Sequence, residues 1–420
     1  MDQFVIKGQK KLSGDLTVSG SKNATLPLLA ASLLCKGKTI LRNVPDLKDI
    51  HTMLNVIKGL GVEYSYNKGL LEINTQHLTT FNAPYELVKT MRASIYVLGP
   101  LLAREGKAEV SLPGGCAIGP RPVNLHIETM GKLGAKIKVE DGFIKARANK
   151  LKGTQIFFST VSVGATANLL MAAALAEGET IIKNAALEPE IGELITFLNS
   201  MGADIKGINT DTLTITGVNK LNPIDYTVVP DRIEAGTLLI AGIITKSPIT
   251  IKNINPEHIS ALLKVVEEMG VILSITGNNI QIKKVGKLSP VYIKTIPYPG
   301  FPTDLHPILA TLLTTVPGIS VINETIFENR FAYIPELIRM GAQIEVDDHI
   351  VIIKGTKSLI GADVMASDLR GGAALTLAGL AANKETIVHR IYHIDRGYEN
   401  LETKLGKAGA NIKRIKGQNI

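Results

Sequence analysis

The residue in this sequence best suited to covalent chemistry is Cys116, which lies in the segment Leu112-Pro-Gly-Gly-Cys-Ala-Ile-Gly-Pro-Arg-Pro-Val-Asn. The surrounding glycines and prolines suit neither a helix nor a strand, so we expect a loop there. Arg121, five residues further on, would favour the thiolate, which is the reactive form of cysteine. The residues alone leave a catalytic thiol and an unreactive one equally open. Cys35, in an apolar run, is instead expected in the core.

Cations stand where several apolar helices are predicted to begin. The first N–H groups of a helix are unpaired and attract anions, yet Lys22, Arg92, Arg232 and Arg370 occupy such positions. Two interpretations remain open, because a cation there can bind an anion together with the helix or can form a surface salt bridge. The predicted helix starts are Ser21-Lys-Asn, Met91-Arg, Ser162-Val-Gly, Asp231-Arg, Thr303-Asp and Asp368-Leu-Arg.

Familiar cofactor motifs are missing from the sequence. The stretch from Gly114 to Gly119 has the glycine spacing of a phosphate-binding loop, but Pro120-Arg121 stands where Lys-Ser or Lys-Thr is required. The sequence has no Gly-x-Gly-x-x-Gly fingerprint, and His389 and His393 lack the glutamate of a metalloprotease motif. We therefore expect no metal and no cofactor.

A sixfold repeat predicts the elements that position these residues. An amphipathic helix-like stretch ends each time in a glycine that suits a left-handed cap, and successive glycines are 73, 68, 68, 71 and 68 residues apart. A nearly all-apolar stretch precedes each of these helices, which predicts a helix buried on every side. Each repeat unit is thus predicted to contain, in this order, a strand, a buried helix, a second strand, an amphipathic helix and two further strands. The glycines are Gly61, Gly134, Gly202, Gly270, Gly341 and Gly409.

Composition limits the class of protein. With 420 residues, 45% hydrophobic and 20% charged, the chain can bury a large core and is too long for one ordinary domain. The longest apolar runs are too short to span a membrane. Because no signal peptide is visible and cysteines number only 2, we expect a cytoplasmic protein. The net charge of +8 favours anionic partners, but scattered bases and the absence of tryptophan argue against nucleic acid.

Distinctive motifs are spread over the whole length of the chain. They are Gly20-Ser-Lys-Asn-Ala, Pro113-Gly-Gly-Cys-Ala-Ile-Gly-Pro-Arg-Pro-Val, Ser162-Val-Gly-Ala-Thr, Glu188-Pro-Glu-Ile, Pro230-Asp-Arg-Ile-Glu-Ala-Gly-Thr, Pro299-Gly-Phe-Pro-Thr-Asp, Phe327-Glu-Asn-Arg-Phe and Asp395-Arg-Gly-Tyr-Glu. With these motifs in this order, the chain resembles the UDP-N-acetylglucosamine 1-carboxyvinyltransferases, the enolpyruvyl transferases of bacterial peptidoglycan synthesis.

The resemblance implies an α/β fold, an inverse α/β barrel of two similar domains with a cleft between them. Each domain would hold three βαβαββ units around buried helices. One domain would comprise residues 22–229 with the cysteine loop, and the other residues 1–21 plus 230–420. The implied substrates are phosphoenolpyruvate and UDP-N-acetylglucosamine, both anionic small molecules, with no nucleic acid and no membrane as partners. The sequence does not indicate an oligomeric state.

Residue roles are implied by the same motifs. Cys116 would be an acid or a transient covalent holder of phosphoenolpyruvate, and Asp304 the carboxylate beside the sugar 3-hydroxyl. Lys22 and Arg396 complete the implied catalytic set. The implied phosphoenolpyruvate site contains Lys22, Asn23, Arg121, Arg370 and Arg396. The implied nucleotide-sugar site contains Asn23, Arg92, Arg121, Pro122, Val123, Asn124, Leu125, Ser162, Val163, Gly164, Asp304 and Ile326.

Two positions depart from the family pattern. Asn124 stands where many members have Asp, and Thr160 where many have Lys, so the uridine and diphosphate contacts there differ from theirs. The nearest alternative is the shikimate-pathway enolpyruvyl transferase, whose family lacks the glycine-rich cysteine loop. A non-catalytic or nucleic-acid-binding protein built from the same units is the alternative from another class.

Overall fold

Strands and helices alternate in a repeated order along the part of the chain that the computed structural model describes, residues 1–88, 91–112 and 123–417, without the side chains of Leu87 and Arg92. The strands within these ranges are β1 (Gln3–Lys7), β2 (Asp15–Thr17), β3 (Lys38–Arg42), β4 (Glu63–Asn67), β5 (Leu70–Asn74), β6 (Asn82–Ala83), β7 (Lys107–Ser111), β8 (Lys136–Glu140), β9 (Phe143–Arg147), β10 (Gln155–Phe157), β11 (Glu179–Lys183), β12 (Asp204–Lys206), β13 (Thr212–Thr216), β14 (Asp225–Thr227), β15 (Thr250–Lys252), β16 (Val271–Thr276), β17 (Asn279–Val285), β18 (Tyr292–Lys294), β19 (Ile319–Asn323), β20 (Gln343–Asp347), β21 (Ile350–Lys354), β22 (Asp363–Met365), β23 (Glu385–His389) and β24 (Asn411–Ile415).

Two kinds of helix connect the strands. The α-helices are α1 (Lys22–Ala31), α2 (Lys48–Gly59), α3 (Tyr85–Val88), α4 (Leu98–Glu105), α5 (Asn124–Lys132), α6 (Val163–Ala173), α7 (Pro189–Ser200), α8 (Arg232–Ile244), α9 (Ser260–Glu268), α10 (His306–Leu313), α11 (Ile334–Arg339), α12 (Leu369–Ala381) and α13 (Leu401–Lys407). Short 3-10 helices lie at Ser32–Leu34, Arg92–Val97, Pro256–Ile259, Thr303–Leu305 and Ile391–Arg396. No helix in these ranges is both long enough and apolar enough to cross a membrane.

The described chain divides into two compact units. Residues 1–19 and 230–417 form one unit, and residues 20–88, 91–112 and 123–229 form the other. Each unit has its own hydrophobic core. In the first unit the buried helices α8, α10 and α12 pack against one another, and in the second α6 packs against both α1 and α4. Helices that are apolar on every side are expected at such central positions.

Each sheet has four strands in one common order. In the sheet β10-β11-β13-β12, β10 is parallel to β11, and β13 is antiparallel to both β11 and β12. This order agrees with the predicted succession of two helix-linked strands and a final hairpin. The other sheets are β6-β7-β9-β8, β14-β3-β5-β4, β18-β19-β21-β20, β22-β23-β1-β24 and β16-β17-β15-β2.

Three strands pair with strands that are distant from them in sequence. The N-terminal strand β1 pairs with β23 and β24 and completes the last sheet, which has only β24 after its amphipathic helix. Strand β14 precedes α8 in sequence but pairs with β3, and β2 precedes α1 but pairs with β15. The strands that precede α1 and α8 in sequence thus lie in each other's sheets. Because β2 and β14 change places in this way and β1 joins β23 and β24, each of the sheets described above has four strands.

The glycines that end the amphipathic helices adopt the left-handed conformation that the sequence predicts. Their φ angles are +99° at Gly61, +92° at Gly134, +105° at Gly202, +105° at Gly270, +88° at Gly341 and +103° at Gly409. Glycine adopts this conformation without the steric cost of a Cβ atom. The predicted burial of Cys35 is confirmed too, since the residue is 2% exposed.

Candidate active site

Asp304 lies in the short 3-10 helix before α10 and binds two arginines. Nη2 of Arg330 donates to Oδ1 at 2.9 Å, and Nη2 of Arg370 donates to Oδ2 at 3.0 Å. The Arg330 and Arg370 side chains are 1% and 3% exposed, whereas that of Asp304 is 28% exposed. Charge-assisted hydrogen bonds of this kind are strong and directional. Two buried cations thus orient a carboxylate that a dissolved molecule can reach.

Arg370 is held at the start of α12 by its neighbours in the same unit. Asp368 caps this helix, and its Oδ1 accepts the backbone N–H of Arg370 at 2.9 Å. The guanidinium lies 5.3 Å from the centre of the Tyr398 ring, a cation–π distance. Burial opposes the charged form, but the Asp304 carboxylate, Tyr398 and Asp231 together more than offset this, so the pKa of Arg370 is raised. The side chain is therefore a permanent cation.

Arg330 is oriented by a second bond besides that to Asp304. Its Nε donates to Oγ1 of Thr303 at 3.1 Å, and its guanidinium lies 4.9 Å from the centre of the Phe327 ring. Thr303 directly precedes Asp304, so one guanidinium contacts two consecutive side chains. This arrangement fixes both the position and the rotation of the Asp304 carboxylate.

Lys22 is the corresponding cation in the other unit. Ser21 caps α1 and accepts the backbone N–H of Ala24 at 3.2 Å, which places Lys22 in the first turn with Asn23 after it. Nζ of Lys22 lies 3.3 Å from Oδ2 of Asp49, and the two side chains are 11% and 7% exposed. A cation and a carboxylate thus meet at the start of this buried helix.

Residues implied for the nucleotide sugar meet where α5 and α6 begin. Ser162 caps α6 and accepts the backbone N–H of Ala165 at 3.3 Å. A Cβ atom on Gly164 would lie 3.3 Å from Nε2 of His126, which is two residues after the first residue of α5, Asn124. The starts of the two helices are therefore close together.

A buried amide anchors His126 to the same unit. Nδ2 of Asn168 lies 3.0 Å from Nδ1 of His126 and donates to the carbonyl of Ile95 at 3.1 Å. Oδ1 of Asn168 accepts the backbone N–H of Gly99 at 2.7 Å. Asn168 in α6 thus connects α4, α5 and the 3-10 helix before α4.

The structure gives less information about the other predicted site residues. Cys116, Arg121 and Pro122 lie outside the described residues, and Arg92 begins a 3-10 helix but only its backbone is described. Ile326 donates its backbone N–H to Glu324, and Arg396 ends the 3-10 helix Ile391–Arg396. Val123 precedes α5, Leu125 lies in its first turn, Val163 begins α6, and Thr160 is exposed before that helix.

The prediction of cations at helix starts is confirmed for position. Lys22 and Arg232 are the first residues of α1 and α8, and Arg370 is the second residue of α12. Lys22 and Arg370 contact protein carboxylates, but both cations are buried, unlike the surface salt bridge that one interpretation expects. The guanidinium of Arg232 lies 5.6 Å from the centre of the Tyr298 ring. That these cations also bind an anion stays a prediction.

Several residues that build these clusters were not predicted from the sequence: Glu324, Arg330, His126 and Asn168. Arg330 belongs to the motif Phe327-Glu-Asn-Arg-Phe, so the motif could have indicated it. Glu324 and Asn168 carry no comparable local signal, because each is recognisable only from partners distant in sequence.

Known proteins resemble this chain over its full length. A family model described as EPSP synthase (3-phosphoshikimate 1-carboxyvinyltransferase) matches residues 6–405. The crystal structure of the enolpyruvyl transferase NikO from Streptomyces tendae has a TM-score of 0.89 at 26% identity and covers 99% of both chains. EPSP synthase from Acinetobacter baumannii shares the fold, with a TM-score of 0.77 at 20% identity over 99% of this chain. The fold is that of the enolpyruvyl transferases, and the predicted α/β class is confirmed.

Relatives with higher sequence identity than these solved structures identify the family within the enolpyruvyl transferases. A protein of Hydrogenovibrio crunogenus named UDP-N-acetylglucosamine 1-carboxyvinyltransferase is 53% identical over 416 residues, which are 99% of this chain and 100% of the relative. One of Carboxydothermus hydrogenoformans, named UDP-N-acetylglucosamine 1-carboxyvinyltransferase 2, is 51% identical over 417 residues with the same coverage. The chain therefore belongs to the UDP-N-acetylglucosamine 1-carboxyvinyltransferase family, as its motifs predicted.

Proposed function

We propose that the protein transfers the enolpyruvyl group of phosphoenolpyruvate to the 3-hydroxyl of UDP-N-acetylglucosamine and releases phosphate. Full-length relatives with about half of their residues identical support the substrates. The observation that carries the chemistry is the carboxylate of Asp304, which two buried arginines orient while it stays accessible. The proposal includes a role in the first committed step of peptidoglycan synthesis, in the cytoplasm.

The reaction adds an alcohol to an enol and then eliminates phosphate. In the addition, the sugar oxygen bonds to the oxygen-bearing carbon, its proton passes to a base, and an acid protonates the methylene carbon. Elimination then removes a proton from the new methyl group, breaks the carbon–oxygen bond to phosphate and restores the double bond. Asp304 is the proposed carboxylate beside the sugar hydroxyl. Cys116 is the proposed acid or transient covalent holder of phosphoenolpyruvate.

Cations are proposed to bind the phosphate and carboxylate of phosphoenolpyruvate. Lys22, Arg121, Arg370 and Arg396 supply the charge, and Asn23 supplies an amide. Fixed cations stabilise the negative charge that moves onto phosphate as it leaves. The fork of a guanidinium can bind either anionic group with two parallel hydrogen bonds. We also propose the two domains that the sequence predicts, which are residues 22–229 and residues 1–21 together with 230–420.

The nucleotide sugar is proposed to bind near the starts of α5 and α6. Asn124 can offer uracil an acceptor through its amide oxygen and a donor through its amide nitrogen. Thr160 brings no charge to the diphosphate, so we expect weaker binding there than in relatives with lysine, and no change of substrate. The proposed contacts are Asn23, Arg92, Arg121, Pro122, Val123, Asn124, Leu125, Ser162, Val163, Gly164, Asp304 and Ile326.

Phosphate release with different acceptors tests the proposal. The enzyme is incubated with phosphoenolpyruvate and either UDP-N-acetylglucosamine or shikimate 3-phosphate, and free phosphate is measured. We expect turnover with the nucleotide sugar and background release with shikimate 3-phosphate. The opposite result would support the shikimate-pathway alternative. No release with either acceptor, together with a salt-dependent shift of nucleic acid in a gel, would support a binding protein instead.

A further inference from the structure

Glu324 directly follows β19 and is completely buried, with a side-chain exposure of 0%. Its Oε1 accepts hydrogen bonds from Oγ1 of Thr295 at 2.9 Å and from the backbone N–H groups of Ile326 at 2.9 Å and Phe327 at 3.1 Å. A buried carboxylate is costly unless donors surround it. Here one oxygen fixes the turn that contains Ile326, a residue proposed to contact the nucleotide sugar.

The other oxygen of Glu324 binds the segment that contains Asp304. Oε2 accepts from Oγ1 of Thr303 at 3.0 Å and lies 2.8 Å from Nδ1 of His306. Burial lowers the pKa of His306, so the imidazole is neutral and donates its Nδ1 proton. Burial by itself raises the pKa of Glu324, but the hydrogen bonds from His306 and its other donors lower it overall, so the carboxylate stays ionised.

The Thr303 hydroxyl transmits this arrangement to Asp304. A hydroxyl has one proton, and Thr303 donates it to Glu324. Its oxygen accepts Nε of Arg330 at 3.1 Å, and Nη2 of the same guanidinium donates to Oδ1 of Asp304 at 2.9 Å. The acceptor role of Glu324 thus fixes the direction of each hydrogen bond from its carboxylate to that of Asp304.

We propose that Glu324 is a positioning residue, which orients Asp304 through Thr303 and Arg330 and orients the backbone of Ile326 directly. This inference rests on the proposed function, in which Asp304 and Ile326 contact the nucleotide sugar. A carboxylate whose only role was to fill space could be replaced by an apolar side chain at little cost. Five donors that converge from three segments instead match the support that a reactive group requires.

Replacing the Thr303 hydroxyl tests this chain of hydrogen bonds with little change of shape. In T303V, Glu324 loses a donor and Arg330 loses an acceptor, so the Asp304 carboxylate is free to rotate. We expect kcat/KM for UDP-N-acetylglucosamine to fall about 10- to 100-fold, as displacements of about 1 Å do. The KM for phosphoenolpyruvate should change less than about twofold. T303S keeps the hydroxyl and should recover most of the loss.

T315V is the matched control for the same chemical change. Thr315 lies in the same unit, is partly buried, and donates to the carbonyl of Leu312 at 2.8 Å. We expect wild-type kinetics from this variant. A loss of folded protein alone would lower kcat and leave both KM values unchanged, so the KM for the nucleotide sugar separates positioning from stability.

E324Q tests the acceptor role directly. The amide nitrogen of Gln cannot accept a hydrogen bond, and it cannot face the backbone N–H groups of Ile326 and Phe327, which only donate. It must therefore face Thr303, whose hydroxyl must then accept instead of donating. E324Q should show the same kinetic pattern as T303V, and the double variant should be no worse than the more impaired single variant, because both break one chain. T303V kinetics equal to those of T315V, or additive losses in the double variant, would overturn this inference alone. No phosphate release by the wild-type enzyme would overturn the proposed function with it.

Discussion

Oδ2 of Asp304 accepts a hydrogen bond from Nη2 of Arg370 at 3.0 Å, which joins the segment before α10 to the first turn of α12. These two residues are 66 positions apart, about one repeat unit. The segments that begin α10 and α12 hold equivalent places in neighbouring repeat units, and they thus contribute opposite charges to one ion pair. Because Arg370 is buried and Asp304 is partly exposed, replacing the carboxylate should affect both catalysis and stability.

D304N tests both effects. The amide keeps the shape but is not a base, so kcat for phosphate release should fall about 100- to 10,000-fold. Arg330 and Arg370 would lose their shared anion, which should lower the free energy of unfolding by about 1–3 kcal/mol. Steady-state kinetics and denaturant unfolding measure the two effects.

D363N provides the comparison for D304N. Asp363 has a side chain 70% exposed and pairs with His389 at the surface. We expect wild-type kcat and an unfolding free energy within about 0.5 kcal/mol of the wild-type value. If D304N turned over as fast as D363N, Asp304 would not be the base.

Cys116 is tested through the reactivity of its thiol. If it acts as the acid, C116D should retain turnover, since a carboxyl group can also donate a proton, whereas C116A should lose most of it. An epoxide such as fosfomycin should alkylate Cys116, because the thiolate opens the ring, and should leave buried Cys35 unmodified. Mass spectrometry of peptides locates the adduct. Normal turnover by C116A would contradict the acid role.

Local patterns in the sequence were sufficient for the repeating elements but not for the clusters. Gly202 could be assigned a left-handed conformation because a helix end and a glycine lie side by side in sequence. The hydrogen bonds among Thr303, Glu324 and Arg330 depend instead on segments that are separate in sequence and meet only in the folded chain. Family motifs named Asp304 as a site residue, but its partner Arg330 became evident only in three dimensions.

The pairing of the exchanged strands was also not predictable from local sequence patterns. Strand β14 reads like the first strand of its own unit, and its pairing with β3 depends on where the chain crosses from one unit to the other. Periodicity describes one segment at a time, so it cannot identify the partner of an edge strand. Only the resemblance to a known family implied domain bounds that group β1 and β2 with residues 230–420 and β14 with residues 22–229.

Glu193 predicts a measurable pH dependence of stability. It lies in α7, and its Oε1 accepts the backbone N–H of Val229 at 3.1 Å. Burial raises the pKa of this carboxyl from 4.5 to about 7. Between these values the folded chain binds more protons than the unfolded chain, so this group makes stability fall as pH rises from 4.5 to about 7. Above that range its contribution is constant.

E193Q should remove this contribution. Gln resembles the protonated carboxyl and can still accept the Val229 N–H, so at pH values of about 8 the variant should be roughly 1–3 kcal/mol more stable than wild type. Near pH values of about 4.5 the difference should vanish. Denaturant unfolding at both pH values measures it, with E179Q, a change at an exposed residue of β11, as the control. A constant difference at all pH values would contradict the raised pKa.

Two helical glycines give opposite expectations for the same substitution. A Cβ atom on Gly99 in α4 would lie 2.4 Å from Oδ1 and 2.5 Å from the carbonyl oxygen of Asn168. One on Gly131 in α5 would have no described atom within 4 Å apart from its chain neighbours and its own helix backbone. G99A should therefore push α4 away from α6, break the Asn168 bond to the Gly99 N–H, and cost about 2–4 kcal/mol. G131A should leave stability unchanged or raise it by up to about 1 kcal/mol, because alanine favours a helix. Denaturant midpoints of the two variants measure the contrast, and equal midpoints would mean that α4 and α6 are not in this close contact.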